Sequence, residues 1–318
     1  MPLIDRLQAG DPRLRRQATL AGAVLLTLLG AALTAFVHPA VGLVAVIGLG
    51  LAPFVMRDID LAFLAVVAVI AILPFAALPV NIGFNPTLLD LSLGLLYLIW
   101  LMRLVLRDQR RLHLPPLSAG VLLFMGLMVA ALLAGFAHGA PTRNQIRVFG
   151  ELLLGAGLFF VVANLIEDRE RLRRIFLALV GFGFLAAAIG MGLYLLPDGL
   201  QVQLLSALRV LDYPSGPGVL RYLNDDPGRL QRATGTSIDP NSFGGMLAVM
   251  TALILPQVIS RRPLIDRRLV LPMAGLMGLA LLASVSRGSL VGFAAALGLI
   301  GLLRDRRLLA GGLLLGLA

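Results

Sequence analysis

Arg232-Ala-Thr-Gly-Thr-Ser-Ile-Asp-Pro-Asn-Ser-Phe-Gly244 is the densest polar motif of the chain, and it leads directly into an apolar run that ends near Ser260. The chain then turns through Arg261-Arg262-Pro263, crosses a second apolar run and arrives at Ser284-Val-Ser-Arg-Gly288. If both runs cross a bilayer, Arg232 and Arg287 return to the same face. Helices are expected for such crossings, because hydrocarbon offers no partner to an unpaired backbone N–H or C=O.

Outward from this stretch the chain keeps the same character. Hydrophobic residues make up 58% and charged residues 14%, with a mean hydropathy of +0.92, far from the balance of a water-soluble domain. Most apolar runs are about 17 to 22 residues long, which as helix covers roughly 30 Å of hydrocarbon. The expected fold is all-α: a single polytopic transmembrane helical bundle over 1–318. About eleven spans are read, at about 19–37, 40–56, 61–80, 87–105, 117–138, 148–166, 175–196, 242–260, 269–285 and 289–303, with an incomplete run from 308. The first run is too long for a signal-peptide core and lacks a small-x-small cleavage site, so it reads as a retained anchor.

Charge supplies the orientation. All 27 basic residues are arginine and the net charge is +10. With the basic lead 1–18 in the cytoplasm, alternation leaves all but seven arginines on the cytoplasmic side, as the positive-inside rule requires. A membrane surface suffices to explain the charge, and no nucleic-acid partner is expected. The seven on the outer side are Arg143, Arg147, Arg209, Arg221, Arg229, Arg232 and Arg287. Two acids, Asp90 and Glu151, lie about one turn below that surface. Glu151 follows Arg147 by four residues, so a same-face ion pair is available. Ionisable groups inside a span point to function, although they also hold helices together.

Cysteine is absent and the three histidines, His38, His113 and His138, have no metal-ligand spacing. Disulfides and thiolate chemistry are thereby excluded, and neither a metal site nor a cofactor is expected. The longest loop, 197–241, is on the outer side. Its Leu200–Leu211 segment has apolar positions at helical spacing and is expected in the outer interface, and Asp212-Tyr-Pro-Ser-Gly-Pro-Gly218 breaks it.

At the end of that loop Asp239 or Asn241 can cap the next helix, with Pro240 in its first turn. Gly235, Gly244 and Gly245 allow close approach to the exposed amides. Arg287 stands in a tight turn that a small polar residue would fill at lower desolvation cost. It either anchors on lipid phosphate or binds a ligand. Guanidinium forks suit a diphosphate because each donates two parallel hydrogen bonds and stays charged. Several together would stabilise the charge on a departing diphosphate without a metal.

Arg232-x-x-Gly235, Asp239-Pro-Asn-Ser-Phe-Gly244 and Ser284-Val-Ser-Arg-Gly288, spaced by a span, a loop and a span, resemble the core of the O-antigen ligase and O-antigen polymerase superfamily. The resemblance covers about residues 140–305. It implies a GT-C-like, metal-independent glycosyltransferase in the bacterial inner membrane, with its N-terminus cytoplasmic. The substrate would be an undecaprenyl-pyrophosphate-linked glycan at the periplasmic face, and the acceptor a glycan or glycolipid, with membrane lipid around both. Arg232 and Arg287 would bind the pyrophosphate, with Arg143, Arg147 and Arg229 as further contacts. Family members place a histidine on a second large periplasmic loop, whereas this sequence reaches Ala318 inside its eleventh run. The general base is therefore sought among His138, Asp239 and Glu151. Two other readings stay open. One is a small-anion transporter, bicarbonate being an example, which should show polar groups or broken helices at mid-membrane. The other is a non-catalytic partner of a polysaccharide assembly.

Overall fold

The structure is a computed structural model that describes residues 59–79, 85–105, 112–166, 168–260 and 262–303. The basic lead and the runs at 19–37, 40–56 and beyond 308 lie outside the described residues. The chain divides into two compact units, 1–58 with 78–86 and 59–77 with 87–318. All helices named below belong to the second.

The described residues are mostly helical. The helices are α1 (Ile59–Ile72), α2 (Leu88–Val105), α3 (Ser118–Gly135), α4 (Arg143–Leu165), α5 (Arg169–Tyr194), α6 (Asp198–Ala207), α7 (Pro240–Ile259), α8 (Arg267–Ala283) and α9 (Arg287–Leu303). Four of them, α3, α4, α5 and α7, are long and apolar enough to cross a membrane. That is fewer than the eleven spans expected. The run expected at 61–80 shows one reason: α1 stops at Ile72, where Pro74 removes an amide donor and disfavours helix at the residue before it.

Helix α3 carries the strongest sign of a bilayer. It is apolar on every side, yet Leu122, Leu123, Phe124, Leu127 and Leu133 are exposed. A helix with no polar face and little burial needs hydrocarbon around it. The chain is a membrane protein.

The core lies where α5, α7, α8 and α9 meet, with Val180, Leu247, Met277 and Phe293 among its buried members. Small residues set the helix spacing. A Cβ at Gly183 would stand 2.6 Å from the sulfur of Met250, and one at Gly190 would meet the Phe243 ring at 2.3 Å. At one end of the bundle Asp60 of α1 accepts from Arg171 at 2.9 Å and Arg174 at 2.7 Å, both near the start of α5. At the other end Thr236 donates to the carbonyl of Ile72, the last residue of α1.

That second end carries the long loop, which is folded. Its own small core joins Leu205, Tyr213, Val219, Leu220 and Ile238 to Ala76. The Tyr213 hydroxyl accepts from the Phe75 amide at 3.2 Å. Burial pushes this phenol up to about 12, although backbone hydrogen bonds from Phe75 and Ala76 oppose the shift. The segment expected in the outer interface forms α6 and a following 3₁₀ turn that bury one face against the loop core. Leu200, Leu204 and Val210 are exposed, whereas Leu205 and Gln201 are buried, and Gln201 Oε1 accepts from Gln231 Nε2 at 2.7 Å. Two short antiparallel strands, β1 (Arg221–Tyr222) and β2 (Gln231–Arg232), close the loop with Arg221 opposite Arg232 and Tyr222 opposite Gln231.

Candidate functional site

The arginine motif and the Ser-Arg-Gly turn meet at the loop end of the bundle. The Ala233 amide donates to the Ala283 carbonyl at 2.8 Å, which lays the motif along the end of α8. Arg232 then donates from Nε to the Ser284 carbonyl and from a terminal nitrogen to Asn241 Oδ1, both at 2.9 Å. One guanidinium thus spans the end of α8 and the first turn of α7. Arg221 donates from Nε to the Ile238 carbonyl at 3.2 Å.

Strain accompanies this arrangement. Ile238 has φ 54° and Val285 φ 48°, left-handed values that cost a β-branched residue of order 1–3 kcal/mol. Ile238 is the residue whose carbonyl meets Arg221, and Val285 separates Ser284 from Ser286. Gly235, at φ 53°, takes the same region at no steric cost and gives way to the Phe243 ring, which a Cβ would meet at 2.7 Å.

The start of α7 is built as its sequence suggests. Asp239 is the N-cap, accepting from the Ser242 amide at 2.7 Å and the Ser242 hydroxyl at 2.6 Å, and Pro240 fills the first helical position. Burial alone would raise the Asp239 pKa. Hydrogen bonds from Ser242 and Asn241, with the nearby Arg232 charge, outweigh burial and hold the carboxyl below its ordinary value. Gly244 makes room for the turn before α9, since a Cβ there would lie 2.6 Å from Ser284 Oγ and 3.0 Å from Ser289 Oγ. Ser286 and Ser289 share a hydrogen bond of 2.8 Å, and Ser289 also reaches the Asn241 carbonyl at 3.4 Å. Arg287 opens α9, exposed, with no hydrogen bond or ion pair among the described residues.

An apolar groove of about 550 Å³ begins beside this turn, at Gly288 and Ser289. It runs between α7 and α9 past Ala248, Ala252 and Gly292 to Ile300.

The other expected site residues stand elsewhere. Arg147 is paired with Glu151 at 2.8 Å and with Asp90 at 3.6 Å. Asp90 also accepts from the Thr87 amide at 2.8 Å, capping α2. This cluster belongs to α4, which packs on α2 and α3. Arg147 and Glu151, expected as phosphate ligand and base, pair with each other, as opposite charges four residues apart on one helix face can. Arg229, expected as a phosphate contact, pairs instead with Asp226 at 3.3 Å in the hairpin turn. Asp239, expected as a base or a cap, is the N-cap of α7. Arg143 is the first residue of α4, exposed beside the Thr142–Gln145 capping box. His138 ends the short 3₁₀ turn after α3, and its side chain lies outside the described residues.

Arg221, like Arg209, was placed on the outer face by sequence reasoning but left out of the site. Two-residue strands carry no alternation to announce the pairing that sets it opposite Arg232. Among the described residues no group of three or more His, Cys, Asp or Glu could hold a metal ion. No family model, curated protein or solved structure matches the chain.

Proposed function

We propose that this protein is a glycosyltransferase of the O-antigen ligase and polymerase kind, a GT-C-like bundle of about eleven spans in the bacterial inner membrane. Its site faces the periplasm, and its donor is a glycan on undecaprenyl pyrophosphate. An acceptor hydroxyl, on a glycan or glycolipid, attacks the anomeric carbon from the side opposite the lipid diphosphate. The new C–O bond forms as the bond to the diphosphate breaks, and the bonding pair leaves on the phosphate oxygen. The hydroxyl proton passes to a base, for which His138 is the candidate from the sequence.

The observation that carries this reading is the fastening of Arg232 onto the turn that presents Arg287, with neutral oxygens as its hydrogen-bond partners. A guanidinium held by neutral acceptors keeps its charge for an anion. The groove that begins at Gly288 and Ser289 suits the rest of such a substrate, since a diphosphate joined to a long apolar chain needs an anion site continuous with an apolar surface.

The test is glycan profiling of the source bacterium with the gene deleted and complemented by Arg232→Ala or Arg287→Ala. Both variants should insert normally and lose glycan transfer by about 100-fold or more, the scale expected for a lost charge-stabilising group. Unchanged surface glycan in both would refute the assigned function.

A further inference from the structure

We propose that Arg221 is a second phosphate-binding guanidinium, and that a diphosphate lies between Arg221 and Arg232 on one face of the β1–β2 hairpin. This deepens the diphosphate reading and rests on it. Residues directly opposite in an antiparallel pair project their side chains to the same face, and like charges so placed repel. A hairpin of two residues per strand is a weak structure in which to place such a pair. The repulsion is relieved if an anion sits between the two.

Hydrogen-bond capacity points the same way. A guanidinium carries five N–H donors. Arg221 uses one, on the Ile238 carbonyl, and Arg232 uses two, on Ser284 and Asn241. Among the described residues both terminal nitrogens of Arg221 have no partner, and they are part of the fork that grips two phosphate oxygens at once. Neither arginine makes an ion pair among the described residues, whereas Arg147, Arg171, Arg174 and Arg229 all do. The anchors on Ile238 and Ser284 fix where each fork stands without spending its charge.

The test measures inorganic pyrophosphate binding to the purified full chain in detergent by calorimetry, alongside thermal unfolding without anion. Arg221→Gln should weaken pyrophosphate binding by about 10-fold or more, the value of a lost charged hydrogen bond, while its anion-free unfolding transition shows that the variant still folds. Arg221→Lys should restore only part of the affinity. Unchanged affinity in Arg221→Gln overturns the proposal and leaves Arg221 a brace for Ile238. Equal binding of orthophosphate, or displacement of pyrophosphate by phosphatidylglycerol at the same phosphate concentration, assigns the site to a monophosphate headgroup and overturns the diphosphate assignment. If Arg221→Gln loses pyrophosphate while the Arg232 and Arg287 variants keep normal surface glycan, the diphosphate site stands and the transferase reading falls. If those two variants abolish transfer and Arg221→Gln changes neither affinity nor transfer, only the role of Arg221 falls.

Discussion

Arg232 donates from Nε to the carbonyl oxygen of Ser284 at 2.9 Å, so the last residue of the β1–β2 hairpin is fastened to the turn that presents Arg287. The two are 52 positions apart, with two helices between them. This bond sets the motif against the Ser-Arg-Gly turn, and it separates the duties of the two arginines. Arg232 is both a brace and a charge. Arg287 is a charge alone.

Replacing each should therefore give different results. Arg232→Lys keeps the charge but loses the fork that reaches Ser284 and Asn241 together. Each lost bond should cost about 1 kcal/mol of stability, and glycan transfer should fall at least tenfold because an ammonium cannot replace a planar fork. Arg287→Ala removes no hydrogen bond or ion pair among the described residues, so stability should stay within about 0.5 kcal/mol while transfer is lost. Thermal unfolding in detergent beside glycan profiling separates the two, and equal destabilisation by both substitutions would sink the distinction.

Gly244 and Gly245 are neighbours with opposite expectations. A Cβ at Gly244 would press on Ser284 Oγ at 2.6 Å, and that hydroxyl is held by a 2.7 Å bond to the Leu281 carbonyl. Gly244→Ala should cost about 1–3 kcal/mol by overpacking and push the turn before α9 away from α7. At Gly245 the nearest such atom is Ser289 Oγ at 3.9 Å. Gly245→Ala should be neutral or add up to about 1 kcal/mol through helix propensity. Unfolding temperatures of the two variants check the contrast.

The Asp90–Arg147–Glu151 cluster should prove dispensable for chemistry. Arg147→Gln alone leaves two acids without their shared partner and should destabilise by roughly 1 kcal/mol, given that all three side chains are partly exposed. Neutralising all three, as Asp90→Asn with Arg147→Gln and Glu151→Gln, should recover most of that loss and keep glycan transfer within a few-fold of normal. Loss of transfer in a well-folded triple variant would return Arg147 or Glu151 to the site.

Asp239 makes part of the stability acid-sensitive. Its carboxyl is held below the ordinary value of about 3.9, so the folded state binds that proton less readily than the unfolded state. Its contribution is full above the unfolded pKa and is lost as pH falls through the lower, folded one. Asp239→Asn keeps a good helix cap and should flatten that part of the profile below about pH 4. Unfolding followed from about pH 5 down to pH 2 for both proteins reads the difference, and parallel profiles would show that Asp239 is not its source.

The sequence by itself determined the membrane character and the helices around the motif, and narrowed the cap of α7 to Asp239 or Asn241, because each rests on local chemistry. Apolar length decides whether a helix suits hydrocarbon, and an N-cap residue followed by proline favours a helix start. Net charge and the spacing of Arg147 and Glu151 likewise made their ion pair legible. Tertiary structure alone decided which arginines are spent and which are left over. Arg147 turns to Asp90 and Arg229 to Asp226, whereas Arg232 turns to neutral oxygens on Ser284 and Asn241. The pairing of Arg221 with Arg232 depends on a hairpin too short to show a period, and the seating of the Ser284–Ser289 turn on Gly244 on a packing distance. A guanidinium has the same charge in every sequence context. Whether that charge is cancelled depends on which oxygens the folded chain brings within about 3 Å of it, and no spacing along the chain specifies that.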